Sequence, residues 1–261
     1  MHARREERVD RRRIAWFSLA DAVVISIYVT IAAFAIGEPL VGSSFIVLIA
    51  VFCIWMQLAL ERRESYGASG SPISKSRSAA ISFAVILIVV VLTGFVISFV
   101  GLAMPVPLRL IPGFLVLVII GVPAVREIRR STRLEQDVRR HPLSGGARLM
   151  TIGLGVLMAG CVCAVAADQE QLWAHFVGMA LIGSYLAWWV AARVSDRLPA
   201  LGALWAWPHW TAFALSGAAI VAIMMFQLQG SAAPATALVA LCAGAIALLF
   251  TGSAFLDGRD G

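Results

Sequence analysis

The stretch FAVILIVVVLTGFVISFVG, residues 83–101, is apolar on every side of whatever element it forms. A surface helix would show a polar face, and a strand of a transmembrane barrel would alternate apolar with polar residues. Neither pattern is present. Crossing a bilayer takes about 20 apolar residues at about 1.5 Å each. Eight blocks of this kind, or nearly so, recur at 14–36, 44–60, 78–103, 108–125, 149–167, 172–192, 210–228 and 235–256. The second and fourth are short, so bilayer thinning or flanking interfacial residues must make up the difference. In hydrocarbon the backbone has to satisfy its own hydrogen bonds, which makes these blocks helices. The first block exceeds the apolar region of a secretory signal, and no small-residue cleavage site follows it, so it reads as a retained span. Only 14% of the residues are charged, against roughly a quarter in soluble domains. The expected fold is an all-α integral membrane protein, a bundle of about eight transmembrane helices.

The segment VREIRRSTRLEQDVRRH, residues 125–141, packs six arginines into this apolar chain. Under an eight-span arrangement the tail 1–13 holds six Lys or Arg residues, the second connection four, the fourth connection seven, the sixth two and the last tail one. Twenty of the 21 cations therefore lie on one side, with Arg109 alone at the other. Cytoplasmic loops carry the Lys/Arg excess, so both termini are expected in the cytoplasm. A seven- or nine-span arrangement would scatter the clusters over both faces. Within the run, Arg126, Arg129, Arg130, Arg133, Arg139 and Arg140 are candidates for contact with anionic headgroups or a cytoplasmic partner. Nucleic acid is not an expected partner: the run is short, carries Glu127, Glu135 and Asp137, and has no interleaved aromatics.

The chain is expected to form a basic tail (1–13), one transmembrane domain (14–256) and a short cytoplasmic tail (257–261). Weak four-plus-four parallel halves, 14–125 and 149–256, would be joined by the basic loop 126–148. No connection is long enough to bury a core of its own. No G-x-x-x-x-G-K-[ST] phosphate loop occurs, so any nucleotide hydrolysis would come from another polypeptide. The stretch LPALGALWAWPHW, residues 198–210, has almost no charge and three tryptophans. It is expected at the cytoplasmic headgroup level as a short interfacial helix or an extended loop.

Asp21 is the first candidate for chemistry. A carboxylate at the centre of a membrane helix costs about 2.5–3.5 kcal/mol on insertion scales and by default marks function or pairing. Ser18, Asp21 and Tyr28 share one side of the helix. This polar stripe reads either as a proton or cation site or as a structural carboxylate bonded to a neighbouring helix. Arg109 either snorkels to the headgroups, pairs with Glu38, Asp168 or Glu170, or faces an anionic ligand. Pro123 is expected to kink or end its helix. At the outer face, His175 with Asp168 and Glu170 forms a second candidate group. The four cysteines read as small apolar thiols: Cys161 and Cys163 point about 200° apart on a helix and cannot share a metal. No metal or cofactor is expected.

Three functions remain open on these residues. The first is a transporter or permease-like membrane subunit without its own ATPase, served by a cytoplasmic ATPase. The second is an accessory or sensory membrane protein that binds another membrane complex. The third is a membrane-embedded lipid-modifying enzyme using His209 and the tryptophans, or His175 with Asp168 and Glu170; enzymatic activity is not the leading expectation. Arginine-rich, lysine-poor composition associates with bacteria, which would make the membrane the cytoplasmic one.

Overall fold

The structure, a computed structural model, describes residues 11–35, 42–63, 106–130, 140–167, 199–228 and 236–259, with isolated positions 65, 180, 183, 184 and 187. Its elements are helices α1 (Arg11–Ala35), α2 (Gly42–Arg63) and α3 (Val106–Arg130), strand β1 (Arg140–Pro142), helices α4 (Gly145–Ala166), α5 (Leu201–Leu204), α6 (Trp207–Leu228) and α7 (Thr236–Ala254), and strand β2 (Asp257–Arg259). Five of the helices, α1, α3, α4, α6 and α7, are long and apolar enough to cross a membrane. The chain is thus a helical, multi-pass membrane protein. The expected spans at 78–103 and, but for four positions, 172–192 lie outside the described residues.

The helices at the two short apolar blocks are longer than the blocks themselves. Helix α2 has 22 residues and α3 has 25, about 33 and 37 Å at 1.5 Å each. Both extend into their terminal arginines, Arg62 and Arg63 in α2 and Arg126 to Arg130 in α3, because a helix does not stop where hydropathy does. Pro123 does not end α3, which carries both Pro112 and Pro123 inside it. A membrane helix tolerates the lost N–H bond when neighbours or local adjustment re-satisfy the freed carbonyl.

The described chain falls into two compact units. One holds α1, α3 and the last two residues of α2; the other holds α2 up to Glu61 and everything from β1 onward. In the first unit α1 and α3 pack antiparallel. Gly113 sits against Ser26 and Thr30, whereas eight residues later Gly121 meets Leu19 and Ala22. The hydroxyl of Ser26 donates to the Gly113 carbonyl at 2.7 Å, and Thr30 donates to the Ser26 carbonyl at 2.8 Å. Small residues let the two backbones approach, which is how helices associate when lipid supplies no hydrophobic drive. Helix α3 buries a narrow stripe, Gly113, Val116, Gly121 and Ala124, flanked by partly buried Leu117, Ile120, Val125 and Ile128, and leaves side chains such as Phe114, Leu115, Val118, Ile119 and Val122 exposed.

In the second unit α4 and α7 are also antiparallel. Gly155 lies under the Phe250 side chain, and the Arg148 guanidinium sits 5.7 Å from the Phe255 ring. Ser144 caps α4, its hydroxyl accepting from the Ala147 N–H at 3.3 Å. Because the start of α4 and the end of α7 lie together, the flanking extended segments pair. Arg140, His141 and Pro142 face Arg259, Gly258 and Asp257 in a three-residue antiparallel ribbon. Helix α2 is buried around most of its circumference from Val47 to Ala59. Its open positions, Cys53, Met56 and Leu60, are three and four residues apart.

Gly155→Ala is expected to lower stability by about 1–3 kcal/mol, since overpacking displaces a buried ring. Gly153→Ala, where nothing lies within 4 Å, is expected to cost nothing. Thermal unfolding of the two variants in detergent checks the contrast.

Candidate functional site

The first unit places one charged cluster among apolar helices. Arg63, in the last turn of α2, extends its Nη2 to the Asp21 carboxylate and to the Ser18 hydroxyl, the latter at 3.2 Å. Ser18 in turn donates to the Ile14 carbonyl at 3.1 Å, one turn back. The Asp21 side chain is 5% exposed and that of Arg63 is 30% exposed. A lone carboxylate here would be expensive. Charge pairing offsets part of that cost and ties the middle of α1 to Arg63. Counting Arg63 as loop charge hid this partner, because its side chain reaches from the helix end back toward the bundle.

The remaining residues of the expected polar stripe do not join the cluster. Tyr28 is half-buried and lies about 10 Å further along α1 by helical rise. Arg109 sits near the other end of the α1–α3 pair, its guanidinium 5.6 Å from the Phe34 ring, an arrangement in which the ring face attracts the cation. His175, Asp168, Glu170, Glu38, Arg133 and Arg139 lie outside the described residues, and Arg140 is described only in its backbone. Arg126, Arg129 and Arg130 are exposed on the last two turns of α3.

The second unit carries two polar arrangements that the sequence did not announce. Glu61 accepts from Gln57 Nε2 at 3.0 Å and from the Gly202 N–H at 2.8 Å. Gly202 presses its backbone against the Leu58 carbonyl, where no Cβ would fit. Glu61 and Gly202 together hold the 199–206 segment against α2. That segment contains the four-residue helix α5, with Leu201 and Gly202 buried.

The tryptophans of this segment also divide. Trp207 is 79% exposed, whereas Trp205 is fully buried among protein side chains. Trp205 goes inside because its indole N–H finds an acceptor, the Thr151 hydroxyl at 3.2 Å, which itself donates to the Ala147 carbonyl at 2.9 Å. His209 stacks on Trp205 with ring centroids 5.9 Å apart, and its Nδ1 accepts from the Ala206 N–H at 3.2 Å. Trp210 meets both Trp205 and Trp55 edge-on at 5.6 Å. Phe213 and Phe250 close the cluster at 6.3 and 6.1 Å from Trp205. These rings form a packed core rather than a reactive surface, and the fully buried His209 is not placed to meet a lipid headgroup.

The cysteines follow the helical angle: Cys161 is buried and Cys163 exposed, and Cys53 is exposed as well. Among the described residues no three His, Cys, Asp or Glu side chains converge as a metal site would require. No family model, no curated protein and no solved structure matches this chain.

Removing one partner of a buried ion pair costs about 3–5 kcal/mol, and partial exposure of Arg63 reduces this. Asp21→Asn and Arg63→Gln are each expected to destabilise by about 1–3 kcal/mol, and the double variant by clearly less than their sum. A double-mutant cycle from unfolding in detergent measures the coupling; strict additivity would show that the pair contributes nothing.

Proposed function

We propose that this chain is an eight-span accessory subunit of a cytoplasmic membrane, with both termini inside the cell, that works bound to another membrane complex. Support for eight crossings comes from helix ends, taken unit by unit. In the first unit Arg63 meets Asp21, which favours placing residue 63 on the side of the membrane from which α1 starts. Helix α3 runs antiparallel to α1 and starts at the far end. A further crossing between residues 63 and 106 would join these ends, and 78–103 is the apolar block available for it. In the second unit Trp205 bonds Thr151 near the start of α4, whereas α4 ends at the far side. A return crossing between 167 and 199 would account for this, and 172–192 is the apolar block available for it. Eight crossings leave both termini on one side, and the arginine bias makes that side the cytoplasm.

The observation that favours the accessory role is the pairing of Asp21. A carboxylate that couples transport must exchange a proton or an ion, and here it would first have to release Arg63. Asp21 is the one acidic side chain in the fully buried class among the described residues. A permease-like subunit driven by a separate ATPase is the second reading. It draws on Gln57 and Glu61, polar groups carried on the most enclosed helix of the second unit.

Two measurements test these readings. In a background lacking the native cysteines, Gly230→Cys is expected to react with an impermeant maleimide in intact cells, and Ser144→Cys only after permeabilisation. The opposite pattern would reverse the topology. Purified from native membranes in mild detergent, the chain is expected to carry a membrane partner at fixed stoichiometry. A chain that runs alone and transports after reconstitution would replace the accessory role with the permease-like one.

A further inference from the structure

One outward face of α3 changes character along its length. Leu115, Val118, Val122, Arg126 and Arg129 follow one another at spacings of three and four residues, which keeps them on a single side. The three apolar members are 46%, 39% and 41% exposed, and both arginines are exposed. Leu115 to Arg126 spans about 16 Å of helix, close to one half of a hydrocarbon core about 30 Å thick. The face is thus apolar over the depth of one leaflet and cationic where the headgroups begin.

Helix α1 sets the same boundary independently. Gly121 lies against Leu19 and Ala22; continuing eight residues along α3 and back along α1 brings Arg129 and Arg12 level. Trp16, just deeper than Arg12, is 54% exposed, and an amphipathic ring belongs at the membrane–water boundary. Charge at this end of the unit is strongly one-sided. The described side chains comprise seven arginines (Arg12, Arg13, Arg62, Arg63, Arg126, Arg129 and Arg130) and two acids, Asp21 and Glu127. Asp21 is engaged by Arg63.

We infer that the α1–α3 pair binds an anionic diacyl phospholipid of the cytoplasmic leaflet, its phosphate held by Arg126, Arg129 and Arg12 and its acyl chain lying along Val122, Val118 and Leu115. Guanidinium forks pair bidentately with phosphate oxygens, which an ammonium cannot do. A basic cluster set against an apolar track at the cytoplasmic side matches how such headgroups are recognised. The site rests on the membrane reading above and deepens it from general headgroup contact to a defined lipid position.

The test uses the full chain, purified in detergent and given an equimolar mixture of phosphatidylglycerol and phosphatidylcholine, with retained lipid read by native mass spectrometry. Phosphatidylglycerol is expected to be retained selectively. The triple variant Arg12→Gln, Arg126→Gln, Arg129→Gln is expected to lose on the order of 100-fold in affinity, while the triple Arg→Lys variant keeps part of it. Millimolar inorganic phosphate is expected not to displace the lipid, because it lacks the acyl chain. Equal retention of the two lipids, or an unchanged glutamine variant, overturns the site; full displacement by phosphate assigns it to a free anion instead. Were the glutamine variant unstable, wild-type selectivity and phosphate competition would still decide. Alkaline carbonate extraction separates the two claims. Release of the wild-type chain removes the membrane reading itself, whereas retention without lipid selectivity removes only this site.

Discussion

A peptide group left without a hydrogen-bond partner in hydrocarbon costs several kcal/mol, and every described element of this protein answers to that cost. Long helices satisfy it internally, residue by residue. The difficulty moves to the places where helices end or where side chains bring polarity inside, and those are where the specific contacts lie. Ser18, Ser26, Thr30, Thr151, Ser216 and Thr251 each return a hydroxyl hydrogen to a carbonyl of the helix backbone nearby or across the packing interface. None of them is left to face lipid with an open donor.

The same accounting explains two carboxylates of the described helices, the buried Asp21 and the partly buried Glu61. Asp21 has a guanidinium and Glu61 has an amide and a backbone N–H. The long-range partners come from the end of α2 in one unit and from the folded-in 199–206 segment in the other, and Gln57 adds a bond from one turn back in α2. Charge and polarity thus act here as ties between elements, at ends where a partner can reach. Dispersion does the rest. Glycines at 113, 155 and 202 bring backbone to within contact of a neighbouring helix or ring, and the aromatic cluster around Trp205 fills the second unit where α2, α4, α6 and α7 contribute side chains.

Much of this could be read from hydropathy alone: six of the eight apolar blocks coincide with described helices, α1, α2, α3, α4, α6 and α7. The limits of that reading are physical. Hydropathy marks the part of a helix in lipid, so it understates α2 and α3, whose last turns continue through Glu61 to Arg63 and through Arg126 to Arg130. Composition could place tryptophan near an interface, yet Trp205 and Trp207, two residues apart, have opposite fates. The difference lies in one hydroxyl, Thr151, more than fifty positions away. Asp21 announced itself as a residue in need of a partner, and Arg63 was visible only as a positive charge.

The amino-acid sequence by itself determined the class of structure, the material of its spans and the uneven placement of its cations, because lipid admits few backbone solutions and arginine resists crossing. Tertiary structure alone decided which polar groups meet: Asp21 with Arg63, Glu61 with Gly202, and Trp205 with Thr151. Those pairings join residues dozens of positions apart through helix register and backbone approach, and neither quantity is encoded in any local run of residues.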